Sequence, residues 1–320
     1  MVRRQRQVHP VRAPDLRSGP VFRANQIRRY LYRRKKYMKN VIATINLKGG
    51  VGKTTTTAAL AEFMSAVFGK KVLVIDLDPQ TNLTTVLIGE DRWKKLNDAG
   101  YTLHALFEDA LYEDASKFDL EKSLQRGVSP VGEVRTVDLL PSSLDLIDVQ
   151  DRLASMSPGK YYTRNPTEIL KRAVKNIIPD YDYVLIDCPP NLGLITLNGL
   201  RIADGYIIPT IPDVLSTYGI PQIQKRVGNF AADLAEEIIE VGIIVTKFRT
   251  QAALHHDTIR RLEDDENLPL VFETKIPEAA RTAESAEHVG RSTLRQKYGP
   301  QFDVFRDLAA EFIETVEANA

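Results

Sequence analysis

The stretch that decides the fold is Val41-Ile42-Ala43-Thr44-Ile45, followed after two residues by Lys48-Gly49-Gly50-Val51-Gly52-Lys53-Thr54-Thr55. The apolar run reads as a buried strand. Lys53 onward, through Thr57-Ala58-Ala59-Leu60-Ala61, reads as the start of a helix. Strand, glycine loop and helix in that order form the context a phosphate-binding loop needs. Glycines let the backbone bend until its N–H groups point inward. The helix N-terminus adds partial positive charge at the same point. Lys53 then serves as a point charge for the β- and γ-phosphates, and the Thr54 hydroxyl as a magnesium ligand. The pattern implies nucleoside triphosphate binding by residues 48–55.

Outward from this loop, short apolar runs alternate with amphipathic segments. Val72–Ile75, Val137–Pro141, Tyr183–Ile186, Tyr206–Pro209 and Ile238–Thr246 read as strands. Leu103–Leu111, Leu144–Met156, Pro166–Ile178, Ser216–Glu237, Ala252–Glu263 and Phe302–Val316 read as helices. This alternation predicts an α/β fold, a doubly wound, mostly parallel sheet with helices on both faces. The stretch 88–135 is polar and gives no clear pattern.

Ligands in such sheets lie at the carboxyl ends of the strands, and three aspartates sit there. Val74-Ile75-Asp76-Leu77-Asp78-Pro79-Gln80 delivers two carboxylates; Asp78 could orient an attacking water and Asp76 support a magnesium shell. Tyr183-Val184-Leu185-Ile186-Asp187 delivers a third, suited to the metal side of the site. The bland reading, solvated acids at strand exits, loses weight because the phosphate loop comes first and the two strand ends follow in order.

The chain has 320 residues, 43% of them apolar, enough for one large domain, and one cysteine, Cys188, so no disulfide framework. No run of ~18 apolar residues or secretory h-region occurs, and a cytoplasmic protein is the expectation. Charge is divided unevenly. Residues 1–40 hold thirteen Lys/Arg against one acid, Asp15, a net of +12; the other 280 residues carry a net of −11. Residues 1–38 are expected to be a disordered basic extension, and 39–320 a single ATPase domain. Met38 precedes the first strand, so three explanations stay open: translation from Met38, a genuine basic arm that strengthens nucleic-acid contact, or a transit peptide, against which stands Ser18 as the one serine of residues 1–37. Lys247, Arg249, Arg281, Arg291, Arg295 and Lys297 could form a phosphate-contacting patch, the alternative being ordinary solvated surface.

Taken together, Lys48–Thr55, Asp76-Leu-Asp-Pro-Gln80 and Ile186-Asp-Cys-Pro-Pro190 resemble the deviant Walker A ATPases, specifically the ParA/Soj partitioning branch of the MinD/ParA superfamily. Leu139–Leu146, Ile195–Leu200 and Ile276-Pro277 with Arg281 and Glu284 extend the likeness over residues 40–318. Departures are Leu47, where the family usually has Gln, the segment Lys247-Phe248-Arg249, and an insertion near 113–135. The resemblance implies ATP and Mg²⁺ as ligands and a homodimer with ATP at its interface. It implies that Lys48 reaches phosphate on the other subunit. It further implies non-specific DNA binding through Arg281, Arg291, Arg295 and Lys297, a ParB-type partner that stimulates hydrolysis, and a nucleoid-associated location. A MinD-like membrane-positioning ATPase is the alternative. It needs a basic amphipathic C-terminal helix, whereas Phe302–Glu317 is amphipathic and acidic. Iron–sulfur relatives need cysteines that are absent.

Overall fold

The computed structural model describes residues 40–112, 117–155, 165–279 and 287–319. The basic extension expected over residues 1–38 lies outside them. Six strands form one sheet: β1 (Val41–Thr44), β2 (Val72–Asp76), β3 (Val137–Leu140), β4 (Tyr183–Asp187), β5 (Gly205–Thr210) and β6 (Ile239–Val245). Their order is β3-β2-β4-β1-β5-β6, and every pairing is parallel.

The strands are apolar on both faces, as parallel strands covered by helices must be. Their two-residue period divides them cleanly. Ala43, Ile75, Ile186, Ile208 and Val245 belong to one core. Ile42, Val74, Leu185, Ile207 and Ile244 belong to the other.

Thirteen helices surround the sheet among the described residues. In chain order they are α1 (Lys53–Ala66), α2 (Asn82–Ile88), α3 (Glu90–Asp98), α4 (Leu103–Asp109), α5 (Leu120–Ser123), α6 (Leu146–Ser155) and α7 (Ile169–Val174). After these come α8 (Leu194–Leu200), α9 (Val214–Thr217), α10 (Ile220–Leu234), α11 (Ala253–Asp264), α12 (Leu294–Tyr298) and α13 (Phe302–Asn319). The acidic C-terminal helix α13 spends its apolar stripe on the core: Phe305, Leu308, Ala309, Phe312, Ile313 and Val316 are buried with Phe63 and Met64 of α1.

Two expected helices are broken. Pro166–Ile178 becomes a 3-10 turn, the short α7 and the start of a second 3-10 turn, Ile178–Asp180, which takes Pro179 at its beginning. Ser216–Glu237 divides into α9 and α10 where Pro221, lacking an amide proton, restarts the chain in the first turn of α10. The unpatterned stretch 88–135 contains α3, α4 and α5. Helix α3 has no fully buried residue and packs on the core through Trp93 and Leu96, an apolar stripe too short to read.

Parallel register fixes what the sheet edge presents. Thr44 pairs with Asp187, and Asp187 pairs with Asp76, so these three side chains stand abreast at the carboxyl ends of β1, β4 and β2.

Candidate nucleotide site

The loop from Asn46 to Lys53 leaves the central strand and turns into α1. Gly50 and Gly52 adopt the left-handed backbone, with φ 72° and 85°, where a side chain would be strained. Gly52 caps α1 without a side-chain hydrogen bond, which leaves the first-turn amides open to a ligand. Two buried polar side chains hold the loop from beneath. Asn46 Nδ2 donates to the Pro209 carbonyl at 2.8 Å, while Asn46 Oδ1 accepts from Lys48 N at 2.9 Å. Thr246, just beyond β6, donates from Oγ1 to the Val51 carbonyl at 2.7 Å.

A cavity of about 650 Å³ opens above this loop. Gly49, Gly50, Gly52, Lys53, Thr54 and Thr55 form its floor, and Asp78 stands at its side. Lys247, Ile276, Pro277 and Glu278 line the far wall. The volume is that of a small-molecule pocket.

Lys53 is buried and donates weakly to the carbonyls of Asn46, at 3.4 Å, and Lys48, at 3.5 Å. Burial lowers its pKa, and the carboxylates of Asp187 and Asp78 oppose that shift. Thr54 Oγ1 donates to Asp187 Oδ2 at 2.7 Å. The other oxygen, Asp187 Oδ1, is fully buried and has no hydrogen-bond partner. Burial, and then the neighbouring Asp76, push the Asp187 carboxyl well above the usual range. Lys53 only partly offsets this buried acid with its orphaned oxygen and like-charged neighbour, which fits a divalent cation held by Thr54 and Asp187. Among the described residues, no three His, Cys, Asp or Glu side chains group as a metal cage. Such an ion would therefore take most of its ligands from phosphate and water, as Mg²⁺ does.

Asp78 is 8% exposed and lines the cavity. Its Oδ1 accepts from Gln80 N at 3.0 Å. Asp76 stands beside Asp187 at the neighbouring strand end. Like Asp187, it is fully buried and is not among the residues lining the cavity. Its Oδ1 accepts from Asp78 N and its Oδ2 from both Thr84 N and Thr84 Oγ1. Through these hydrogen bonds Asp76 also shapes the loop that carries Asp78.

Lys48 stands outside the cavity. Its Nζ lies 3.3 Å from Asp213 Oδ2 and 2.9 Å from Ser216 Oγ, at the start of α9.

The expected basic patch is dispersed. Lys297 is 4% exposed, and its ammonium is bound by both oxygens of Glu62 at 2.8 and 2.9 Å. Because its charge is already neutralised inside the protein, the assignment of Lys297 to a DNA-contacting patch is corrected. Arg291 and Arg295 share one open surface depression. Arg295 also lies over the Phe302 ring at 4.0 Å. Arg249 pairs with Glu278 on the cavity side. Arg281 lies outside the described residues.

Sequence reasoning did not single out Asn46, Thr246 or Asp213. Their partners are brought to them by sheet register, which no local pattern announces.

A family model described as an AAA domain matches residues 39–240. The chain is 30% identical over 274 residues to the sporulation initiation inhibitor protein Soj of Bacillus subtilis, covering 86% of this chain and 98% of Soj. The chain belongs to the ParA/Soj family of P-loop ATPases. The chromosome partitioning protein ParA of Myxococcus xanthus is 29% identical, over 76% of this chain and 77% of its own. Among solved structures, cobyrinic acid a,c-diamide synthase from Mycobacterium smegmatis, with bound ATP analogue and magnesium, aligns with a TM-score of 0.65. It is 26% identical and covers 85% of this chain and 93% of its own. The glycine loop and the strand-end Asp76, Asp78 and Asp187 of this ParA/Soj chain lie within the matched residues 39–240.

Proposed function

We propose that this ParA/Soj-family chain binds ATP with Mg²⁺ in the cavity, hydrolyses the γ-phosphate, and uses that cycle to switch a homodimer on and off DNA. One observation carries the reading: α1's open N-terminus, Lys53, Thr54 and Asp78 line one cavity, and Thr54 is hydrogen-bonded to the buried Asp187. The synthase solved with an ATP analogue and magnesium supports the choice of ligands.

The roles follow from the geometry. The loop amides and Lys53 hold the phosphates. Mg²⁺, when bound, offsets the negative charge on the phosphate oxygens. Thr54 Oγ1 and Asp187 supply its protein side, Asp187 through the oxygen that otherwise lacks a partner. Asp78 orients the attacking water with the carboxylate edge not occupied by Gln80.

Self-association is supported by the surface around Lys48. Val214, Leu215 and Tyr218 of α9 and its C-terminal flank are 46%, 76% and 71% exposed, beside a lysine that is itself half-exposed. An apolar surface of that kind next to a nucleotide loop suits a second subunit closing over ATP. DNA binding and a ParB-type partner rest on the likeness to Soj and to the M. xanthus chromosome partitioning protein. Arg291 and Arg295 are the basic side chains available for DNA among those considered, with Arg281 as a further candidate from the resemblance.

The test is Lys53→Ala, followed by ATP binding, phosphate release, light scattering and co-sedimentation with DNA or with liposomes. The variant is expected to lose nucleotide binding and, with it, ATP-dependent dimerisation and DNA association. Parent-level affinity and turnover in the variant would overturn the assignment. ATP-dependent sedimentation with liposomes and not with DNA would favour the membrane-positioning alternative.

A further inference from the structure

Four residues form a closed ring of hydrogen bonds behind Asp78. Asp76 Oδ1 accepts from Asp78 N at 3.1 Å. The Asp78 carbonyl accepts from Ser142 Oγ at 2.8 Å. Ser142 N donates to Thr84 Oγ1 at 3.0 Å. Thr84 Oγ1 donates to Asp76 Oδ2 at 2.7 Å, and Thr84 N donates to the same oxygen at 2.9 Å. Asp76, Thr84 and Ser142 are all fully buried.

The ring joins three elements. Asp76 ends β2, Thr84 lies in the first turn of α2, and Ser142 follows β3 by two residues. The Ser142 carbonyl is in turn held by Trp93 Nε1 of α3 at 3.1 Å. The Asp78 N–H is therefore held by the Asp76 carboxylate, and its carbonyl by the Ser142 hydroxyl together with Thr81 N at 3.0 Å. The Asp78 carboxylate meets the cavity from this clamp. The loop itself is held in an uncommon shape, since Thr81 adopts φ 56°.

We infer that Thr84 and Ser142 are positioning residues for hydrolysis, which fix the Asp78 carboxylate through Asp76 and the Asp78 backbone without touching the nucleotide. The inference rests on the reading of Asp78 as the water-orienting group. Catalytic groups require a supporting shell, and misplacement by about 1 Å can cost roughly 10²-fold in rate. Both hydroxyls do work that an apolar side chain of the same volume cannot: each gives a proton to an acceptor in the ring.

The experiment uses the full chain and compares Ser142→Ala, Thr84→Val and Thr84→Ser, each alone and with Asp78→Ala. Single-turnover hydrolysis and ATP affinity are measured for every protein. Ser142→Ala and Thr84→Val are expected to slow turnover roughly 10- to 100-fold while changing ATP affinity less than about 3-fold. Thr84→Ser, which keeps the hydroxyl, is expected to stay within about 3-fold of the parent. In the Asp78→Ala background, Ser142→Ala is expected to cause no further loss, because residues acting as one unit are non-additive. Parent-level turnover in Ser142→Ala, or an equal additional loss without Asp78, would overturn the inference. If Thr84→Val fails to fold, Ser142→Ala decides alone. Should Asp78→Ala itself hydrolyse at the parent rate, the water-orienting reading fails, an outcome distinct from failure of the ring.

Discussion

Lys48 Nζ pairs with Asp213 at 3.3 Å, across 165 residues of sequence, and turns away from the cavity that its own loop forms. Asp213 also caps α9, accepting from Ser216 N at 2.7 Å and from Ser216 Oγ at 2.9 Å. Although burial raises the Asp213 pKa, the Ser216 hydrogen bonds and Lys48 outweigh it, so the carboxyl stays ionised below its usual range. A Lys48 that reaches a neighbouring subunit's ATP must first leave Asp213.

Releasing that contact should favour the dimer. The pair is partly exposed, so it is worth at most about 1 kcal/mol. Asp213→Asn is expected to lower the ATP concentration needed for dimerisation by up to about 5-fold in light scattering. Lys48→Ala is expected to bind ATP as a monomer. A Lys48→Ala protein that still dimerises with ATP counts against the lysine's role.

The Glu62–Lys297 pair predicts a stability effect where sequence alone suggested a DNA effect. Glu62 Oε2 also accepts from Tyr298 Oη at 2.7 Å, and Glu62 Oε1 from Ser129 Oγ at 2.8 Å, so the buried charge is fully engaged. Removing its cation leaves an unpaired buried carboxylate, at a cost of about 3–5 kcal/mol. Lys297→Met should lower the denaturation midpoint in urea by a corresponding amount. Its DNA affinity, measured on folded protein, should keep the parent's salt slope. A stable variant with a reduced salt slope would return Lys297 to the surface patch.

Burial also makes a pH prediction. Asp76 has its pKa raised to about 7, chiefly because burial penalises the charged form. Between pH 4 and 7 the folded protein therefore holds a proton that the unfolded chain has released. Stability from this group is complete below the unfolded pKa, falls as pH rises, and is lost above about 7. Thermal midpoints of the nucleotide-free parent should fall from pH 5 to 8 more steeply than those of Asp76→Asn. Parallel profiles for the two proteins would contradict the shift.

DNA binding, if it follows the ATP-bound dimer, should require ATP and weaken steeply with salt, because each neutralised phosphate releases counterions. Arg291→Ala should reduce affinity across all sequences alike. Binding that is equal with ADP and ATP would separate DNA contact from the nucleotide cycle.

Much of this site was legible because its signals are local. The loop's glycines lie within four residues, and Asp76 and Asp187 each end an apolar run read as a strand, with Asp78 two residues further on. Parallel pairing then made neighbours of Asp76 and Asp187. What escaped reading was non-local. Thr246 meets Val51 across 195 residues, and Lys297 meets Glu62 across 235. A lysine's type announces charge, but whether that charge faces solvent depends on what packing puts opposite it. The same holds for the partners of Asp76. Its two oxygens are claimed by Thr84 and Asp78 once the chain has folded. Helix α3, with no fully buried residue, offered too short an apolar stripe to read.

The central claim is that the cavity hydrolyses ATP with Asp78 orienting the water, and single-turnover hydrolysis by Asp78→Ala tests it most directly. The variant should bind ATP with the parent's affinity, slow phosphate release by at least about 10²-fold, the typical worth of a general base, and accumulate as an ATP-bound dimer. Phosphate release at the parent rate, with ATP binding intact, would contradict the account.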